Sequence, residues 1–201
     1  STVLEVKRVD QVERILITWS MARPDLAGRD LTDIAAELGC SRTEAAERLQ
    51  PAGAVYFSMS EEDVRRVLRF PLTMVGSDGL PHDIRPHPRL WGTFPRVLGH
   101  YARDLGLFGL PEAVRRMTSL PAARFGLSSR GVLREGAPAD LVLFDAKAII
   151  DSADFEHPTR ISAGIRGVWV NGVAAWRDGA HTGARAGRVL RNADLAPKTF
   201  N

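Results

Sequence analysis

Cysteine is almost absent from this chain: Cys40 is the single one in 201 residues. One thiol excludes an internal disulfide framework and fits a reducing compartment. No apolar run approaches the ~18 residues that a membrane-crossing helix needs, and the first residues carry no signal-peptide pattern. The setting expected from this is cytoplasmic, with no membrane partner. A charge block of either sign is missing too. The 27 basic and 24 acidic side chains leave a formal charge of +3 and are spread along the sequence, which argues against a dedicated polyanion site.

What is present is a globular composition. Apolar residues make up 44%, enough for a real core, and the length suits one domain or a little more. The first two thirds read as an α/β alternation. Segments 14–20 and 54–60 have the apolar, β-branched and aromatic content of strands. Residues 61–68 read as a helix begun at Ser60, with Glu61, Glu62 and Asp63 at the positive end of its dipole. A further helix is expected from Pro111 to Gly126, with Pro111 at an early position and an interruption at Pro121. This rhythm supplies about three strands, whereas a closed (β/α)8 barrel needs eight. After Leu127 only short strands are expected: a hairpin over 131–145, and a second over 165–176 with Asn171-Gly172 as its two-residue turn.

The stretch from Leu31 to Leu49 is a helix pair that also reads as a DNA-binding helix-turn-helix, with Gly39 in the turn. Glu44 and Glu47 on the second helix would repel phosphate, which opposes that reading and any nucleic-acid partner. Leu31, Ile34, Leu38 and Leu49 form an apolar stripe, and Ser41 with Glu44 forms a capping box. The pair is therefore expected to be a helical insertion near 30–50. Cys40, in the Gly39-Cys40-Ser41 turn, has a small half-buried role rather than metal ligation.

Chemistry-bearing candidates gather after an apolar run that ends on Gly76-Ser77-Asp78-Gly79. Val75 and its neighbours read as a buried strand. Asp78 at its end is either a turn aspartate, since Ser-Asp-Gly is ordinary turn chemistry, or a proton acceptor at a barrel rim. His82, Asp83 and His87 could join Asp78 around a metal. Pro81, Pro86 and Pro88 stiffen the same segment and favour a rigid pocket wall. Arg89 is either a surface arginine or a guanidinium fork for a carboxylate. Met59 either fills a core or lines a pocket for an apolar side chain. Trp19, Trp91 and Phe94 read as packing residues. His100, His157 and His181 show no partner pattern.

The block Leu72–Gly79 running on through Leu80-Pro81-His82-Asp83-Ile84-Arg85-Pro86-His87-Pro88-Arg89-Leu90-Trp91-Gly92-Thr93-Phe94 resembles the last barrel strand and following loop of the D-aminoacylases. These are N-acyl-D-amino-acid deacylases of the metal-dependent amidohydrolase superfamily, and the resemblance extends to about Trp176. It implies the C-terminal portion of a TIM-like (β/α)8 barrel over 1–128, followed by strands of a small β-sandwich and a tail over 129–201. It further implies that Asp78 is the catalytic acid/base and can also contact the metal. Arg89 and Met59 become substrate-binding residues, the first holding the α-carboxylate. Asp140, despite its regular place in the family's first C-terminal hairpin, is structural. The implied cofactor is Zn2+ and the implied substrate a small N-acyl-D-amino acid. The family's His-x-His pair, metal-site cysteine and later histidines have no counterpart here, so an N-terminal part of the same enzyme is expected to supply the other ligands. This chain alone is expected to be inactive. Dihydroorotase-like and dipeptidase-like amidohydrolases are the alternative within the superfamily.

Overall fold

A computed structural model describes residues 2–81, 85–127 and 129–190. The chain forms two compact units, Ser1–Arg66 with Ser77–Trp91 and Ala153–Ile161 in one, and Val67–Gly76 with Gly92–Ser152 and Ser162–Asn201 in the other.

The first unit contains a three-stranded antiparallel sheet: β1 (Thr2–Val3), β2 (Ile15–Ser20) and β3 (Ala52–Tyr56), in the order β1-β3-β2. The sequence reading counts 14–20 and 54–60 among about three strands of a β/α rhythm; here they pair antiparallel with each other, unlike neighbouring strands of a (β/α)8 barrel. The cause lies in the connection. Two short helices, α1 (Leu31–Glu37) and α2 (Arg42–Arg48), follow β2 and pack against each other. The chain returns to the end it left, so Ser20 faces Ala52 and β3 runs antiparallel. Both helices are capped, α2 by the Ser41–Glu44 box that the sequence predicts and α1 by Asp30, which the sequence reading does not single out. Asp30 accepts from the Thr32 N–H, and Ser41 and Glu44 make a reciprocal capping box.

Ile15, Ile17, Ala52 and Ala54 from the sheet meet Leu31, Ile34, Ala35, Ala45, Ala46 and Leu49 from the helix pair in one buried cluster, with Leu38 and Cys40 packed at its margin. The predicted apolar stripe is thus the core-facing side of the helices. Trp19 lies across Gly53, its cross-strand partner, where any Cβ would collide with the indole.

The helix predicted after Ser60 is α3 (Glu61–Arg69), which accepts its first bond from Val64 N–H at Ser60. Glu61–Arg65 and Glu62–Arg66 pairs line its exposed face. The segment 73–80, expected to begin as a strand, belongs to no sheet among the described residues. Val75 N–H bonds to the Arg116 carbonyl at 3.2 Å, and an extended segment without a ladder partner is not a strand.

The helix α4 (Arg89–Arg96), whose residues from Gly92 on belong to the second unit, continues through a π-helical turn at Val97–Asp104, a helix that the sequence reading does not predict. Gly92, Pro95 and Gly99 hide this helix from a propensity reading. The signal that was available is Val97, Leu98, Tyr101 and Ala102, apolar at helical spacing and all buried. The helix expected over 111–126 is two, α5 (Leu110–Met117) and α6 (Ser119–Arg124), and the break is at Thr118 rather than Pro121. Proline's ring collides with the carbonyl four residues earlier, at Met117, so the interruption appears there. Trp91 and Phe94, expected to pack, are part-exposed.

The second sheet has the order β4-β5-β6-β7 (Leu141–Phe144, Ile165–Val170, Val173–Arg177, Ala180–His181). The 165–176 hairpin is present, with Asn171 (φ 49°) and Gly172 (φ 82°) in the left-handed turn that Asn-Gly favours. The 131–145 hairpin is not. Residues 131–140 are irregular, and only β4 is a strand, paired to β5. Asp140 buckles this region as a structural group: it accepts from the Asn171 N–H at 2.8 Å and is ion-paired with Arg130, which also donates to Asn171 Oδ1.

Candidate active site

Asp78 stands in an irregular segment with φ +47°, a conformation that aspartate tolerates better than most side chains. Two small residues make the turn possible. Ser77 Oγ accepts from the Gly79 N–H at 3.3 Å. Gly79 lies so close to Leu90 that an added Cβ would sit 2.7 Å from the Leu90 Cα. The turn is therefore pressed against the start of α4, and Asp78 Oδ2 meets Arg89 Nη2 at 2.8 Å. The Asp78 side chain is 80% exposed and that of Arg89 31%. Eleven positions apart in sequence, the two residues are direct partners in space.

His87 sets the start of α4. Its Nδ1 accepts from the Arg89 N–H at 3.0 Å, while the Leu90 N–H bonds to the His87 carbonyl and the Trp91 N–H to the Pro88 carbonyl. These are N–H groups that no preceding helical turn satisfies. The imidazole packs edge-on against Phe155, with centroids 5.1 Å apart, and Phe155 against Phe57 at 4.7 Å. The Arg14 guanidinium lies over Phe57 at 4.3 Å. Burial, helped by the Arg89 charge, pushes the His87 pKa down to about 4. Phe57, Phe155 and Arg14 were not singled out from the sequence. Their relation crosses nearly a hundred positions and leaves no local signal.

Met59 is on the irregular segment after β3 and is 79% exposed, so it does not fill a core. His82 and Asp83 lie outside the described residues. Among the described residues no group of three or more His, Cys, Asp or Glu side chains could hold a metal. Cys40, part-buried in the α1–α2 turn, is remote from such a role. A cleft of about 530 Å³ in the same unit is lined by Arg14, Arg29, Asp30 and Arg85 among others, but neither Asp78 nor Arg89 borders it. No helix among the described residues is long and apolar enough to cross a membrane.

Comparison with known proteins gives this arrangement its context. The sequence pattern of the amidohydrolase family matches residues 10–175. The chain belongs to that family. Within it, the chain is 60% identical over 190 residues to a D-aminoacylase from Alcaligenes xylosoxydans xylosoxydans, a match covering 94% of this chain and 39% of that protein. It is 52% identical to an N-acyl-D-glutamate deacylase of the same organism, covering 95% and 39%. A crystal structure of D-aminoacylase superimposes with a TM-score of 0.89 at 60% identity, over 94% of this chain and 40% of that one. That of N-acyl-D-glutamate deacylase from Bordetella bronchiseptica, complexed with zinc and a phosphonate that mimics the tetrahedral intermediate, gives 0.86 at 51% identity, over 89% and 38%. A binuclear metal centre is described for D-aminoacylase. The chain spans about 40% of the length of these amidohydrolases.

Proposed function

We propose that this chain is the part of an N-acyl-D-amino-acid deacylase that carries the acid/base and the carboxylate anchor, in an enzyme that hydrolyses the amide to a carboxylate and a free D-amino acid. The observation that carries the reading is the Asp78–Arg89 pair, a carboxylate and a guanidinium 2.8 Å apart on a turn and a helix start, in a chain 60% identical to a D-aminoacylase. The Asp78 carboxylate is the group to take a proton from the attacking water and return it to the leaving nitrogen. Arg89 exchanges Asp78 for the substrate's α-carboxylate, which its planar fork holds in two parallel bonds. Met59 lines the side-chain pocket. The D preference, the substrate class and the barrel setting of the segment ending at Asp78 rest on the similarity to these deacylases.

The described residues do not form a metal site by themselves, and Asp78 is the one we assign as a contact. Zinc, when bound, would supply Lewis-acid polarisation of the amide carbonyl. Its remaining ligands, and any second sheet that completes a β-sandwich over 129–201, belong to parts of the family's length beyond this chain.

The test is Asp78→Asn in an enzyme of full family length. The amide keeps the size of the side chain and removes the base, so turnover of N-acetyl-D-amino acids should drop by ~100-fold or more while KM changes little. A variant that keeps most of its turnover would return Asp78 to the turn-aspartate explanation.

A further inference from the structure

We infer that His87 is a positioning residue for Arg89, fixing the backbone from which the guanidinium reaches the substrate carboxylate; this rests on the function proposed above. Arg89 is the first residue of α4, where N–H groups lack helical partners, and His87 Nδ1 is the acceptor for its N–H. That bond decides the state of the ring. An Nδ1 that accepts has no proton, so the neutral imidazole carries its proton on Nε2. Both nitrogens are then committed, and the ring has no lone pair left for a metal unless the bond to Arg89 is given up. The second reading of His87 from sequence, a ligand alongside Asp78, is thereby disfavoured.

The ring is held from both sides. Buried Pro86 precedes it and Pro88 follows, restricting the backbone on which it stands. Phe155 packs edge-on against the imidazole and is itself backed by Phe57, next to the end of β3. The neighbouring charged groups are Arg89 and Asp78, and the low pKa of His87 keeps it neutral around them at neutral pH. Support therefore runs from the first sheet through two phenyl rings and one imidazole to a single backbone amide. A misplacement of that amide by about 1 Å is enough to spoil a bidentate contact.

The experiment compares His87→Leu with His87→Asn in the full-length enzyme. Asn places its Oδ1 where His has Nδ1 and keeps the acceptor, whereas Leu keeps bulk without it. With N-acetyl-D-amino acids, His87→Leu should raise KM by ~10-fold and leave kcat within about 2-fold. The corresponding amides, which lack the anion, should change little, and His87→Asn should return towards the parent on both. Hydrogen exchange of the peptide containing the Arg89 N–H gives a second reading independent of turnover: faster in His87→Leu, near parental in His87→Asn. Equal losses on acids and amides, an Asn variant as impaired as Leu, or unchanged exchange would each overturn the positioning role alone. A parent enzyme that hydrolyses none of the acids would overturn the deacylase reading and this inference with it.

Discussion

Strands β2 and β4 carry nearly the same message in sequence, Ile-Leu-Ile-Thr in one and Leu-Val-Leu-Phe in the other, and meet opposite fates. Ile15 to Thr18 are all buried, whereas Val142 and Leu143 are 58% and 57% exposed although adjacent strand residues point to opposite faces. The difference lies in the connections. Between β2 and β3 the chain spends residues 21–51 on a helix pair that folds down over the sheet. Between β4 and β5 it spends residues 145–164, but 153–161 of these belong to the first unit, and the later turns, Asn171-Gly172 and Asp178-Gly179, have only two residues each with which to cover a face. An apolar run announces a strand. Whether that strand is buried is decided by whether the segments that join it to its neighbours fold over it.

The sharpest way to break this comparison is to cut the same amount from each sheet. Ile17 is fully buried among α1, α2 and both long strands, so Ile17→Ala should cost about 2–5 kcal/mol in a urea titration. A loss below ~1 kcal/mol would mean that the helix pair relaxes onto the sheet and is not a fixed cover.

A smaller effect tests what replaces apolar burial in the second unit. There Arg116, 3% exposed, donates to the Phe70 carbonyl at 2.9 Å and to Glu112, is bonded to the Leu68 carbonyl, and stacks over Phe108. Side-chain bonds from Arg115 and then Arg116 pull the Glu112 carboxyl down to about 2, against an ordinary 4.5. A depressed carboxylate stabilises the fold at pH values above 4.5, and that contribution is lost as pH falls towards 2. Glu112→Gln should therefore lower the melting temperature modestly at neutral pH and show a shallower decline than the parent between pH 4.5 and 2. Parallel curves would show that the arginines are held by the carbonyls alone.

The smallest expected effect closes the series. Leu143→Thr, on the exposed strand, should change stability by no more than about 0.5 kcal/mol, since threonine suits a strand and little burial is lost. A loss comparable to that of Ile17→Ala would mean that this face is covered in solution.

What was legible in the sequence was local. The start of α3 at Ser60, the Ser41–Glu44 box and the Asn171-Gly172 turn each depend on residues within about four positions, and each formed as read. Asp178-Gly179 carried the same kind of signal and was overlooked. Non-local facts were not legible. Nothing in the strands themselves says that β2 and β3 pair antiparallel, and the helix from Arg89 to Asp104 is stabilised by burial of Val97, Leu98 and Tyr101 against the propensities of Gly92, Pro95 and Gly99. At the candidate site, Asp78 and Arg89 could be named singly, through resemblance. Their contact depends on the close approach of Gly79 to Leu90, and the Phe57–Phe155–His87 stack on three distant segments.

The left-handed backbone at Asp78 limits which substitutions can be interpreted at all. At φ +47° asparagine is at ease as aspartate is, while alanine must bear a steric penalty of about 1 kcal/mol. An alanine variant therefore removes a carboxylate and strains a turn in the same stroke, and its lost activity cannot be divided between the two. The tolerated set at this position is small, close to Asp, Asn and Gly. Of these, Asn alone deletes the acid while leaving both the turn and a side chain of the same size in place.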